Sequence, residues 1–458
     1  YDWPARATRA CSAGTQLILG DRFEAENCSF TVGGYNAVEL NRIGGSGSVR
    51  IPETVHFGGV PYTVVSVGFG GKAGWVPESG ITSVYIPESV KFIWDGVFGQ
   101  STLENIFVDE RNPKFRSEDG VLFSKSLYTL IAYPGANART EYAIPDQTVK
   151  IAYQAFGDCG NLETLVVGEN VSAVWIANWG SGYADSERGN QVTGGWSSIV
   201  GGMALNGRVI VSENNDQFCS DGSAIYNRSK TIVLAGFRDL FSYTVPETVR
   251  QIEDGAFEGS PKLIEIYNCS PLPVAAGDRG YGSVALVAKN VYTPASGESR
   301  LTERDGYVFY DDGGEYLLVG YVGTDTRLVL PKDIDGRKYS VYEYAFSGLS
   351  GIESVFVSDG AASLGERSFA YCVNLKEFTI GDGITEIPSR LLTGCDNLES
   401  ISLGRDVKTL NRECFSLLPK LESIYYNCVA CDDLDDWGSD AFRGSGNSSA
   451  GIVLTIGK

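Results

Sequence analysis

Few residues of this chain are arranged for catalysis. Its 458 residues include one histidine, His56, which removes most nucleophile–base pairs that need imidazole. The pair Cys428-x-x-Cys431 is one half of a possible zinc ligand set, and no second pair follows at a matching spacing. None of the 56 glycines belongs to a phosphate loop ending in Lys-Ser or Lys-Thr. The sequence therefore predicts a protein that is not an enzyme, with no cofactor and no metal.

The charge of the chain excludes two classes of partner. Its 57 acidic and 37 basic residues give a formal net charge of −20. Phosphate backbones and anionic lipid surfaces repel such a chain. The sequence also has no apolar run of the length needed to span a bilayer. We therefore expect neither nucleic-acid binding nor membrane insertion.

The residues best placed for binding lie on short predicted strands of the form LxxIxI, such as Leu398–Leu403. Side chains alternate along a strand, so the fourth and sixth positions point inward and the third and fifth point outward. The third position is polar throughout. The fifth is aromatic in five strands: Tyr85, Phe107, Tyr267, Phe356 and Tyr425. The sequence therefore predicts one outward column rich in aromatic residues.

Three interpretations of this column remain open. Aromatic residues favour strands and stack on their neighbours, and inserted hairpins could cover them. Alternatively, they line a concave surface for a protein partner, or they stack on a glycan. A second candidate patch combines Trp175, Trp179 and Trp196, in and near a Gly/Ser-rich segment.

The elements that position these residues repeat along the chain. Apolar anchors stand 23 residues apart at Phe346, Phe369, Leu392 and Phe415, and further apolar positions follow each anchor at offsets of three, six and nine. Phe98, Phe156 and Phe257 begin similar units, and Phe69 and Phe442 are predicted to flank the series. A fixed period of this length is typical of a solenoid. The predicted fold is a β-rich leucine-rich repeat array with little helix and a parallel sheet on one side.

Three insertions interrupt the array. Each contains Asp-Gly followed by two β-rich runs, which predicts a hairpin; the pairs are Asp119-Gly120, Asp221-Gly222 and Asp305-Gly306. We predict five regions: an irregular β cap with the first repeat (1–78), repeats with a hairpin (79–176), a Gly/Ser-rich insertion (177–207), a second repeat block with a hairpin and an irregular excursion (208–300), and the regular C-terminal repeats (301–458).

The cysteines divide by their place in the repeat. Cys159, Cys372 and Cys395 follow an anchor by three residues, and Cys414 directly precedes one. We predict that these four are small buried apolar residues. The pairs Cys11/Cys28 and Cys428/Cys431 lie in less regular stretches, where a disulfide and free thiols both remain open.

The pattern AFxxCxxLxxIxIPxxVxxI, with its 23-residue spacing and its DGVLF…YP…IP hairpins, resembles the BspA-like leucine-rich repeat family over roughly residues 30–458. Leu392 departs from the aromatic anchor. The resemblance implies an exported bacterial protein at the cell surface or outside the cell. It would act in adhesion to a host extracellular or cell-surface protein, or to neighbouring cells. The start at Tyr1 fits a removed signal peptide. Glycan binding and a purely structural spacer are the alternatives.

Overall fold

The computed structural model describes residues 17–68, 80–94, 96–98, 102–152, 154–174, 195–293, 297–427, 436–437, 440–446 and 452–456. Within these ranges nearly all regular structure is β-strand. The single α-helix in the described residues is α1 (Trp196–Gly202), and a short 3-10 helix covers Tyr281–Ser283. The described residues contain no helix with the length and apolar character required to cross a membrane.

The strands are numbered in chain order. The N-terminal strands are β1 (Arg22–Ala25), β2 (Cys28–Gly34), β3 (Ala37–Ile43), β4 (Gly47–Arg50), β5 (Thr54–Phe57), β6 (Val60–Val67), β7 (Ile81–Ile86) and β8 (Phe92–Ile93). The next are β9 (Asn105–Val108), β10 (Phe115–Glu118), β11 (Val121–Ser124), β12 (Thr129–Ala132), β13 (Glu141–Ala143), β14 (Lys150–Ile151), β15 (Thr164–Val167) and β16 (Ala173–Val174).

The middle strands are β17 (Arg208–Val211), β18 (Phe218–Ser220), β19 (Ala224–Asn227), β20 (Ile232–Gly236), β21 (Ser242–Val245), β22 (Gln251–Ile252), β23 (Glu265–Asn268) and β24 (Asn290–Tyr292). The C-terminal strands are β25 (Leu301–Arg304), β26 (Tyr307–Asp311), β27 (Tyr316–Tyr321), β28 (Arg327–Val329), β29 (Tyr339–Val341), β30 (Ser354–Val357), β31 (Ala361–Ser363), β32 (Glu377–Ile380), β33 (Glu386–Ile387), β34 (Ser400–Leu403), β35 (Thr409–Leu410), β36 (Ser423–Tyr426), β37 (Asp436–Trp437) and β38 (Val453–Ile456).

The repeats stack into two parallel ladders, as predicted. The first ladder holds the LxxIxI strands, and it is split into four sheets: β4-β7-β9, β13-β15-β17, β21-β23-β24 and β28-β30-β32-β34-β36-β38. The second ladder holds shorter strands such as β14-β16, β29-β31 and β33-β35-β37. A β-solenoid of leucine-rich repeats is therefore confirmed.

The three inserted hairpins share one topology. In each, two antiparallel pairings lead to a third strand that joins the second ladder in parallel, as β12 joins β14, β20 joins β22 and β27 joins β29. The N-terminal strands repeat this order, because β1, β2 and β3 are antiparallel and β3 pairs in parallel with β6. The predicted irregular cap thus contains a fourth copy of the hairpin.

The anchors form the centre of the stack. Phe98, Phe156, Phe346, Phe369 and Phe415 are buried, and so is the non-aromatic anchor Leu392. The rings of Phe346 and Phe369 stack at 4.7 Å with an interplanar angle of 4°, which places equivalent apolar groups of successive coils in direct contact. Phe69 lies outside the described residues, and Phe442 is partly buried.

Each anchor lies in a tight turn. The residue two positions before it has positive φ in eight coils, which are those with Gly96, Gln154, Gly255, Tyr344, Arg367, Arg390, Glu413 and Asp440 at that position. Backbone hydrogen bonds join successive turns, as where the Phe346 N–H donates to the Ser368 carbonyl at 2.7 Å. The turns thereby continue the hydrogen-bonded stacking between the two ladders.

The four repeat cysteines are buried free thiols, as predicted. The Cys372 Sγ donates to the Phe346 carbonyl at 3.2 Å, and the Cys395 Sγ donates to the Phe369 carbonyl at 3.2 Å. Burial raises the pKa of the Cys159 and Cys414 thiols to about 12. Cys28 is a buried free thiol, whereas Cys11, Cys428 and Cys431 lie outside the described residues.

Candidate functional site

The hairpins divide the first ladder, so the outward residues do not form one continuous column. The edge of β9 is occupied by the first hairpin, where the Ile106 N–H donates to the Gly120 carbonyl at 2.8 Å. The Val211 N–H at the end of β17 donates to Ser220 Oγ of the second hairpin at 3.0 Å. Asn290 on β24 is hydrogen-bonded to Tyr310 of the third. Each segment of the face therefore has its own surroundings.

The N-terminal segment aligns Arg50, Tyr85 and Phe107 in register. The Arg50 guanidinium lies 3.5 Å from the centroid of the Tyr85 ring, and the Tyr85 hydroxyl donates to Asp109 at 3.2 Å. Hydrogen bonds from Arg111 hold the pKa of Asp109 below its usual range. Tyr85 is half-buried, whereas Phe107 is 42% exposed. Phe107 is thus the more accessible aromatic residue here.

Tyr267 belongs to a closed cluster. Its ring stacks on Tyr292 of the adjacent strand at 5.1 Å and 27°. Both hydroxyls donate to the buried Glu265 carboxylate, at 3.2 Å and 3.3 Å. The same carboxylate accepts hydrogen bonds from Ser299 Oγ and from the Arg300 N–H, both at 2.8 Å. Burial raises the pKa of Tyr267, and that of Tyr292 to about 12. Stacking within the sheet therefore explains Tyr267.

Sequence reasoning missed the role of Glu265. It occupies the third, outward position of its strand, which is polar in every repeat, so its type gave no signal. Its burial results from the connection at Ser299 and Arg300, which folds back over the strand. A contact this distant along the chain leaves no local pattern.

The C-terminal segment is the most extended outward face described. Its six strands align one fifth-position residue each, from β28 to β38: Val329, Phe356, Thr379, Ser402, Tyr425 and Thr455. We call this set the C-terminal column. Val329 is 64% exposed, Phe356 41% and Tyr425 45%. Phe356 and Tyr425 are three strand spacings apart, about 14 Å, with the smaller hydroxyl residues between them.

The strands that carry the C-terminal column are held from beneath. Their inward neighbours Val355, Phe378, Ile401 and Ile424 are all buried in one core. Because these side chains alternate with the outward ones, the core fixes the direction of each member of the column. Val329 was not among the predicted residues, although the strand signal Leu328-Val329-Leu330-Pro331 was present in the sequence.

The second predicted patch loses Trp196. This residue is fully buried in α1, and its ring packs edge-on against Phe218 at 5.2 Å. Helix formation turns the side chain into the core between the repeats, so Trp196 is unavailable to a partner. Trp175 and Trp179 lie outside the described residues.

The described residues contain no group of three or more His, Cys, Asp or Glu side chains arranged to hold a metal ion. The candidate site is therefore a surface of apolar and hydroxyl side chains on a stiff parallel sheet. Such a surface offers contact area and hydrogen bonds to a partner.

The fold places the chain in the leucine-rich repeat class. Residues 329–449 match the family model described as "BspA type Leucine rich repeat region", in six copies. We identify the chain as a protein with BspA-type leucine-rich repeats. None of the curated proteins compared with it matches.

Three solved structures are similar to this chain. A leucine rich cell surface protein from Faecalibacterium prausnitzii is 16% identical, with 97% of this chain and 96% of that chain covered and a TM-score of 0.31. The pneumococcal vaccine antigen PcpA is 15% identical, with 96% and 100% covered and a TM-score of 0.34. A leucine-rich repeat protein from Bacteroides ovatus is 15% identical, with 95% and 100% covered and a TM-score of 0.21.

Proposed function

We propose that this protein is an exported bacterial surface protein that acts as a non-enzymatic adhesion module. Its partner is a protein on a host or neighbouring cell, and the C-terminal column provides the contact. BspA-type repeats in residues 329–449 support a protein-interaction role at the cell surface. They include all but the last member of this column.

One observation carries the choice of face. Val329, Phe356 and Tyr425 are exposed apolar side chains in a single register of one sheet. Protein interfaces are enriched in aromatic residues, which bury a large area at low entropic cost. The other aromatic positions are less suitable, because Tyr85 is engaged by Arg50 and Asp109, and Tyr267 is engaged within its own cluster. The accessible aromatic area is thus concentrated in the C-terminal repeats.

The chemistry of the column also favours a protein over a sugar polymer. A glycan platform usually combines exposed rings with carboxylates and amides that bind hydroxyl groups. The residues between Phe356 and Tyr425 in this column are Thr379 and Ser402, which have hydroxyl groups only. The net charge of −20 favours a partner whose contact surface is neutral or basic.

A binding screen tests the proposal. The purified protein is passed over immobilised extracellular-matrix proteins, host-cell membrane proteins and a polysaccharide panel, all at the same ionic strength. We expect saturable binding to one or more proteins and none to the polysaccharides. Binding to polysaccharides alone would show a glycan-binding protein instead, and the absence of any binding would leave a structural spacer.

A further inference from the structure

Lys262 is a buried lysine without a partner. It precedes β23, its exposed fraction is 2%, and it lines a cavity of about 440 Å³. Among the described residues no acceptor lies within hydrogen-bonding distance of its ammonium group; the Phe241 ring centroid is 6.0 Å from Nζ. A buried charge without a hydrogen-bonded partner is costly. The position of Lys262 at a cavity therefore requires an explanation.

The cavity lies where two repeat blocks meet. Leu205, Phe241 and Lys262 come from turns that precede strands of the middle block. Asp325 and Ile352 come from turns before β28 and β30 of the C-terminal block. The blocks are in close contact here, since a Cβ atom built at Gly348 would lie 3.3 Å from Leu205. The walls thus belong to a fixed junction.

The charges around the cavity are arranged along its depth. Asp239 is paired with Arg208, whose Nη2 lies 2.8 Å and 2.9 Å from the two carboxylate oxygens. Glu163 and Asp325 are exposed at the opening. The base therefore presents an unpaired ammonium, the walls are partly apolar and the rim is acidic.

The protonation of Lys262 is compatible with anion binding at neutral pH. Burial lowers its pKa to about 8, and the nearby Arg238 also disfavours the charged form. Asp239 acts in the opposite direction. Below this pKa the group is mostly charged, and an incoming carboxylate would remove the cost of leaving it unpaired.

We propose that this cavity binds a small amino carboxylate. The ligand's carboxylate accepts hydrogen bonds from Lys262 Nζ, its apolar body lies against Leu205 and Phe241, and its ammonium group is held by Glu163 and Asp325. A cavity of about 440 Å³ has the size of a small-molecule site. A phosphate group is less suitable, because its greater negative charge would face the acidic rim.

Calorimetric titration at pH 7 with three related probes tests this assignment. The probes are 6-aminohexanoate, hexanoate, which lacks the ammonium group, and hexylamine, which lacks the carboxylate. We expect 6-aminohexanoate to bind most tightly and hexylamine to bind about tenfold more weakly or not at all. Equal or tighter binding of hexylamine, or no binding of any probe at millimolar concentration, would overturn the proposal.

Two sets of variants locate the ligand. Lys262→Met should weaken 6-aminohexanoate binding about tenfold or more, whereas Lys289→Met, an exposed lysine just before β24, should leave it unchanged. Glu163→Gln with Asp325→Asn should remove the preference for 6-aminohexanoate over hexanoate and leave hexanoate binding intact. Undiminished binding in Lys262→Met would refute the site.

Discussion

At the scale of single residues, Glu265 and Lys262 show two opposite environments for a buried charge. They are three positions apart in the sequence, and both have almost no exposed surface. Glu265 accepts four hydrogen bonds from its surroundings, whereas the ammonium group of Lys262 faces a cavity. A satisfied charge stabilises its site, and an unsatisfied one lowers stability unless a ligand pairs with it.

Glu265→Ala should lower the free energy of unfolding by about 3 kcal/mol, because it leaves buried donors without their acceptor. Urea unfolding measures this. Glu377→Ala is the matched control: Glu377 occupies the same strand position in β32 and is exposed, so its loss should change stability by less than about 0.5 kcal/mol. Equal effects of the two substitutions would contradict the role assigned to Glu265.

Lys262→Met should stabilise the ligand-free protein at neutral pH. The pKa of Lys262 falls from 10.5 to about 8 on folding, so below pH 8 the folded state retains a charge that the unfolded chain solvates better. Between pH 8 and 10.5 the unfolded state binds the additional proton, and the stability of the wild type therefore rises with pH. The full difference is on the order of 3 kcal/mol.

The measurement is urea unfolding of both proteins from pH 7 to 10.5. The advantage of Lys262→Met should be largest at pH 7 and should shrink as the pH approaches 10.5, while other titrating groups contribute equally to both proteins. An advantage that stays constant with pH would show that Lys262 is not the titrating group.

At the scale of elements, the inserted hairpins differ in their turns. Asp119-Gly120 has φ values of 50° and 81°, and Asp305-Gly306 has 52° and 80°, which are typical of a type I′ turn. Asp221-Gly222 has no such conformation; there the Asp221 carboxylate accepts hydrogen bonds from the N–H groups of Ser223 and Ala224. The same dipeptide thus forms two kinds of turn.

Gly120→Ala should lower the urea midpoint, with a cost of about 1–2 kcal/mol, because alanine is strained at positive φ and its Cβ would collide with Asn105. Gly222→Ala is the control in the second hairpin, where no atom lies within 4 Å of the added Cβ. It should be nearly neutral. A larger effect at Gly222 would contradict the assigned turn geometry.

The hairpin elements were predictable where the turn residues announced them. Asp-Gly between β-rich runs located three copies correctly. The fourth, N-terminal copy turns at Glu26-Asn27, with φ values of 51° and 61°, and glutamate is not a usual residue for that conformation. The same limit applies to the anchor turns, where Tyr344, Arg367 and Arg390 adopt positive φ without glycine. Stacking against neighbouring coils imposes these conformations, and a local pattern does not record them.

At the scale of the whole molecule, the 23-residue period predicted the solenoid, its core and the buried cysteines, because each coil buries its apolar side against the next. The same period could not predict how the first ladder is divided, since hairpins occupy strand edges through contacts between distant residues. It placed Phe356 and Tyr425 correctly on an outward face, and it placed Tyr267 there without its covering segment. The junction that forms the Lys262 cavity was missed for the same reason.

The central claim is that the C-terminal column is the binding face, and a double substitution of its aromatic residues tests it most directly. Phe356→Ser with Tyr425→Ser is compared with Tyr35→Ser, which removes a tyrosine that is 95% exposed outside this sheet. Affinity for the protein partner found in the screen is measured after urea unfolding has shown that all variants fold. We predict a loss of about 2 kcal/mol or more in the double variant, roughly 30-fold in Kd, and none in Tyr35→Ser. Unchanged affinity in the double variant would contradict the claim.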